Sequence, residues 1–122
     1  MFRFSQRSYD KLAGVRPELV AVATLALSRS PVDFGITEGL RTKKRQRELY
    51  NEGKSRTMNS RHLTGHAIDV AAYVDGKVTW DWQPYLQISQ AMKHAAEDLG
   101  VNIQWGGEWK LRDGPHFELL RE

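Results

Sequence analysis

Two segments carry histidines where metal chemistry could be built. One reads Ser60-Arg61-His62-Leu63-Thr64-Gly65-His66-Ala67-Ile68-Asp69, and the other Asp113-Gly114-Pro115-His116-Phe117-Glu118. A catalytic zinc takes three protein ligands from imidazole and carboxylate and keeps a fourth position for water. His62, Asp69 and His116 supply that set. Asp69 falls early in an apolar, β-branched run, where a bare carboxylate is costly unless paired or metal-bound. His116 lies between Pro115 and Phe117. The chain has no cysteine, which excludes thiolate zinc sites, cysteine nucleophiles and disulfide frameworks.

A metal-bound water needs a base beside it. Asp113, just upstream of His116, could reach across the turn. Glu118 is the rival, because residues 116 and 118 of an extended strand share a face. Spacing alone leaves both open. His62 and His66 have the separation of paired ligands on a metalloprotease helix. Position 63 is Leu rather than Glu, however, and Gly65 disfavours a helix. His66 is therefore expected beside the site and not in it.

The elements that must position these groups can be read from pattern and punctuation. A short helical turn is expected over Ser8–Ala13, ending at Gly14. Pro17 and Glu18 open a helix running to Ser28, apolar nearly all round and so well buried. Asp33–Glu38 reads as a strand closed by Gly39. Thr42 caps a helix over Lys43–Glu52, with Leu49 and Tyr50 facing inward and the basic residues of Lys43–Arg47 facing water. Lys54–Asn59 is a polar loop. Ala67–Val74 and Lys77–Thr79 form a hairpin about Asp75-Gly76. A helix over Pro84–Leu99 is capped by Gly100, and Val101–Trp105 and Pro115–Leu119 are the last strands. Trp80 and Trp82 are expected to be partly exposed. The fold class is α+β, helices packed on a small antiparallel sheet.

The chain has 122 residues, 40% hydrophobic and 27% charged, as expected of one globular domain. The net charge of +3 allows an anionic partner without singling out nucleic acid, and no nucleic-acid motif is present. No segment is long enough to span a membrane. Acidic Asp10 and Glu18 precede the apolar run Leu19–Leu27, unlike a secretory leader, so an unprocessed cytoplasmic product is expected.

Ser60-x-His62-x-x-Gly65-x-Ala67-x-Asp69, followed by Asp113-x-x-His116, resembles the zinc peptidases of bacterial peptidoglycan. These include D-Ala-D-Ala dipeptidases and carboxypeptidases and the L-alanyl-D-glutamate endopeptidases of phage endolysins. Gly39-Leu40-Arg41 with Gln46, Leu49, Tyr50 and Gly53 resembles the family's first block. Trp105-Gly106-Gly107-x-Trp109 resembles the endopeptidase branch, as does Asp113 where the dipeptidases have glutamate. The resemblance spans Ile36 to Leu119. It implies a Hedgehog/DD-peptidase-like fold, with residues 1–122 as one catalytic domain and zinc on His62, Asp69 and His116. It further implies Asp113 as the catalytic acid, Arg41 as stabiliser of developing negative charge or clamp on a substrate carboxylate, and Ser60 near the substrate.

The expected activity is hydrolysis of the L-Ala–D-Glu amide of the peptidoglycan stem. The expected setting is a monomer held in the host cytoplasm until a holin releases it to the wall, without stable membrane insertion. A D,D-carboxypeptidase or dipeptidase on the same scaffold, or a non-catalytic wall-binding module, are the alternatives.

Overall fold

The computed structural model describes residues 1–121. The elements run α1 (Gln6–Leu12), α2 (Pro17–Arg29), β1 (Asp33–Glu38), α3 (Lys43–Asn51), β2 (Ala67–Val74), β3 (Lys77–Thr79), α4 (Trp82–Leu99), β4 (Ile103–Trp105) and β5 (His116–Leu119). Two 3-10 turns, Arg61–Thr64 and Gly106–Glu108, complete the order. β1, β2 and β3 have the expected bounds because turn formers bracket them. Asp75 (φ 53°) and Gly76 (φ 76°) both adopt the left-handed conformation that a tight hairpin requires.

Elsewhere local capping moves the bounds. α1 starts earlier than expected because the Ser5 side chain accepts the Ser8 N–H. α4 starts at Trp82, two residues before Pro84, since a first-turn N–H has no helical partner to lose. β4 starts late because Val101 donates its N–H to Ala96 O, 2.9 Å away, in the cap that Gly100 forms at φ 67°.

The sheet is five-stranded and antiparallel, ordered β1-β2-β5-β4, with β3 also on β2. β2 is its centre. The first half of β2 pairs with β5 and the second half with β3, while β1 runs along the other edge. Side chains alternate between faces along a strand. Ile68 and Val70 are fully buried in the core, together with Phe117 of β5. Asp69, His116 and Glu118 therefore project from the opposite face.

The core face is covered by α2 and α4, through Leu19, Val22, Ala26, Ile88, Met92 and Ala95. Burying such side chains contributes about 1.5–3 kcal/mol each for the larger ones, which gives the opposite face a rigid floor. No helix among the described residues is long and apolar enough to cross a membrane.

Candidate metal centre and active site

Strand register builds the first row of the site. Glu38 of β1 pairs with Asp69 of β2, and Asp69 pairs with His116 of β5. Directly opposed residues have Cβ atoms about 5 Å apart, so a carboxylate and an imidazole meet without any loop to place them. His116 Nδ1 lies 3.0 Å from Asp69 Oδ1.

His62 comes from the 3-10 turn before β2. Ser60 Oγ accepts the His62 N–H at 3.2 Å, and Gly65 closes the turn at φ 73°. A side chain at Gly65 would also strike the Gly14 carbonyl. His62 Nδ1 lies 2.8 Å from Gly39 O. A carbonyl oxygen can only accept, so Nδ1 carries the proton and Nε2 is left with a bare lone pair. Nε2 is buried, has no hydrogen-bond partner among the described residues, and faces Asp69 Oδ1 at 3.3 Å. Two acceptors facing one another at that distance call for a cation between them. One ligand atom from each of His62, Asp69 and His116 falls within 4.8 Å of the others. Two imidazoles and a carboxylate are a donor set suited to a catalytic zinc, so the residues present fit a metal ion.

The electrostatics agree. Burial pushes the Asp69 carboxyl up, but the hydrogen bond from His116 leads the effects that outweigh it, and the group is held well below the usual carboxylate range. Burial likewise pushes His116 down. Its hydrogen bonds to Asp69 and Glu118 prevail and lift it to about 9. In the absence of metal a proton occupies the place that a ligated cation would take.

Asp113 is held by the Trp-Gly-Gly block. Its N–H donates to Gly106 O at 2.9 Å, and its own carbonyl accepts the His116 N–H at 3.1 Å. A Cβ at Gly106 would collide with the Asp113 carbonyl, and one at Gly107 with the Trp105 ring. Trp105 Nε1 donates to Gly114 O at 2.7 Å, locking the same turn. The Asp113 side chain opens onto a cleft of about 940 Å³ shared with Asp69, His116 and Trp109. Loss of water around it raises its pKa and the Asp69 charge raises it further, against the pull of His116, His62 and Arg41.

Arg41 is anchored on nearly every side. Its Nε and Nη2 donate to the two oxygens of Glu38 at 2.6 and 2.5 Å. Nη1 donates to Gln46 Oε1 at 2.7 Å and reaches Ser60 Oγ at 3.5 Å. Nη2 also stands 3.8 Å from Asp69 Oδ2. The bidentate face of the guanidinium is thus taken by Glu38, and the edge left toward the cleft lies beside Asp69. Ser60 acts on the loop backbone and on Arg41.

Other expectations resolve plainly. His66 bonds Thr64 Oγ1 and stays outside the cluster. Trp80 and Trp82 are 65% and 39% exposed. On α3 the inward residue is Gln46, fully buried, whereas Tyr50 is exposed. Gln46 binds Ser55 Oγ and Thr57 O as well as Arg41, so this face of α3 meets a polar network and not the apolar core. Glu118, weighed above as a base, places Oε1 2.8 Å from His116 Nε2, on the side of the ring away from Asp69. Glu38 went unread as a site residue; its only signal was the strand register that a sequence does not display.

Residues 1–120 match the family model described as phage L-alanyl-D-glutamate peptidase. The L-alanyl-D-glutamate peptidase of Escherichia phage T5 is 36% identical, over 98% of this chain and 90% of its own length. The peptidoglycan L-alanyl-D-glutamate endopeptidase CwlK of Bacillus subtilis is 33% identical, over 78% of this chain and 65% of its own length. The crystal structure of the Serratia marcescens L-Ala D-Glu endopeptidase ChiX matches with a TM-score of 0.92 at 52% identity. That match covers 98% of this chain and 90% of the other.

Proposed function

This chain belongs to the phage L-alanyl-D-glutamate peptidase family, and from that premise we propose that its cleft hydrolyses the L-Ala–D-Glu amide of peptidoglycan stem peptides as a zinc endopeptidase. The observation that carries the metal reading is the bare, buried Nε2 of His62 facing Asp69, with His116 completing the donor set. Zinc held by His62 Nε2, Asp69 and His116 Nδ1 would lower the pKa of a bound water and polarise the scissile carbonyl.

The chain's own groups do the rest. Asp113 takes the proton of the attacking water and returns it to the amine of D-Glu as the bond breaks. Its place on the cleft wall beside Asp69 and His116 puts its carboxylate where both transfers would occur. Arg41 keeps a fixed positive charge beside Asp69, pre-oriented by Glu38 and Gln46, where it favours negative charge developing on the carbonyl oxygen. Ser60 holds the loop that presents His62. Trp109, its ring 4.9 Å from that of His116, walls the cleft.

The described residues act as one catalytic domain, since α1 packs on β1, which carries Glu38, and β5 carries His116. In a phage setting the enzyme waits in the host cytoplasm as a monomer and reaches the wall after holin action. The test is mass spectrometry of peptidoglycan digested by zinc-loaded protein, beside a chelated control. Stem peptides that begin at D-Glu, absent from the control, are expected. Intact stems would overturn the reaction, and loss of terminal D-Ala would replace it with a carboxypeptidase.

A further inference from the structure

We propose that the buried Arg61–Glu118 pair is a positioning device, which selects the metal-facing nitrogen of His116 and ties that histidine to His62. The inference rests on the metal reading above. A neutral imidazole can carry its proton on either ring nitrogen, and only the other one can ligate. Glu118 Oε1 stands 2.8 Å from His116 Nε2. An ionised carboxylate can only accept, so the proton is drawn to Nε2 and Nδ1 is left to face Asp69.

Glu118 is itself an unusual residue for its place. It sits in the middle of the sheet, paired with Ala67 on one side and Gln104 on the other, and is buried. A carboxylate there needs a positive partner, and Arg61 provides it. Arg61 Nε lies 3.9 Å from Glu118 Oε2, and Nη2 donates to Leu119 O at 3.1 Å. Arg61 Nε is buried with no hydrogen bond among the described residues, so the Glu118 charge is what compensates its burial.

Arg61 immediately precedes His62, and Glu118 follows His116 by two residues. A single pair thereby links the 3-10 turn carrying one histidine to the strand carrying the other. Neither residue reaches the cleft floor as a ligand; both act through His116 and the spacing of the two rings.

Zinc affinity, measured by competition with a chromogenic chelator, tests this without reference to activity. Glu118→Gln is expected to bind zinc 10- to 100-fold more weakly than the unmodified protein. Arg61→Lys, which keeps the charge, is expected to retain more affinity than Arg61→Gln. A purely structural role would lower the melting temperature of the chelated variants while leaving zinc affinity within about twofold, and that result would overturn the proposal.

The nitrogen-15 shifts of the His116 ring in the zinc-loaded, unmodified protein give an answer even where a variant fails to fold. A proton on Nε2 is expected, and one on Nδ1 refutes the proposal. Failure of the unmodified protein to bind zinc at all would instead remove the metal reading on which this one stands.

Discussion

Asp69 faces two imidazoles and a guanidinium, and its contact with His116 has the clearest consequence. In metal-free protein His116 is held at about 9 against an ordinary 6.5. A raised pKa means that the charged ring contributes stability fully below 6.5 and loses it as the pH climbs through 9. Chelated protein is therefore expected to melt at falling temperature between pH 7 and 10. Zinc-loaded protein, with Nδ1 already occupied, should show a flatter profile in the same calorimetric scan. At Asp113, the residue proposed as base, Asn keeps the size and removes the carboxylate. Asp113→Asn should lower kcat by about 100- to 10,000-fold with zinc content unchanged by elemental analysis. His62, Asp69 and His116 were legible because imidazoles and a carboxylate in apolar surroundings have few inexpensive explanations. Glu118 was half legible, since its shared face with His116 follows from strand geometry, but its partner Arg61 depends on a contact 57 positions away in sequence. Gln46 was not legible as a buried residue, because hydropathy assigns burial by polarity and a fully bonded amide escapes that rule.

The same contrast holds between elements. Strands bracketed by Gly39 and Asp75-Gly76 could be bounded from sequence because those residues terminate pairing for backbone reasons. On α3 the basic residues face water and Leu49 is half-buried as its pattern predicts, but Tyr50 turns outward and Gln46 is the fully buried residue, because the packing partner is a loop and an arginine rather than a core. Gly39 shows how closely the segments fit. A Cβ there would collide with the Lys11 carbonyl and the Val15 side chain, at the position whose own carbonyl orients His62. Gly39→Ala is expected to destabilise the fold by about 1–3 kcal/mol, as overpacking does. It should also weaken zinc binding in the chelator assay. Gly53→Ala is the control. It meets no atom within 4 Å, so its cost is confined to the φ of +74° and should leave zinc affinity unchanged.

Across the whole molecule the division is between two faces of one sheet. α2 and α4 cover the apolar face, and the row Glu38–Asp69–His116 occupies the other. The α+β class and the antiparallel pairing were readable from the order of elements, whereas the central place of β2 was not, since strand order depends on register. β2 also carries the chain out of the site. It runs six residues from Asp69 to the Asp75-Gly76 turn, about 20 Å at the usual strand rise. Among the described residues nothing beyond its chain neighbours lies within 4 Å of a Cβ at Gly76, and Val74 and Val78 are exposed. Loop tips of this kind accept foreign sequence best. A folded cargo with adjacent termini, spliced between Asp75 and Gly76, should leave hydrolysis of purified stem peptides within about threefold of the parent. The hairpin would then serve as a modular port, through which a separate targeting unit could choose the bacterium while the cleft keeps its chemistry.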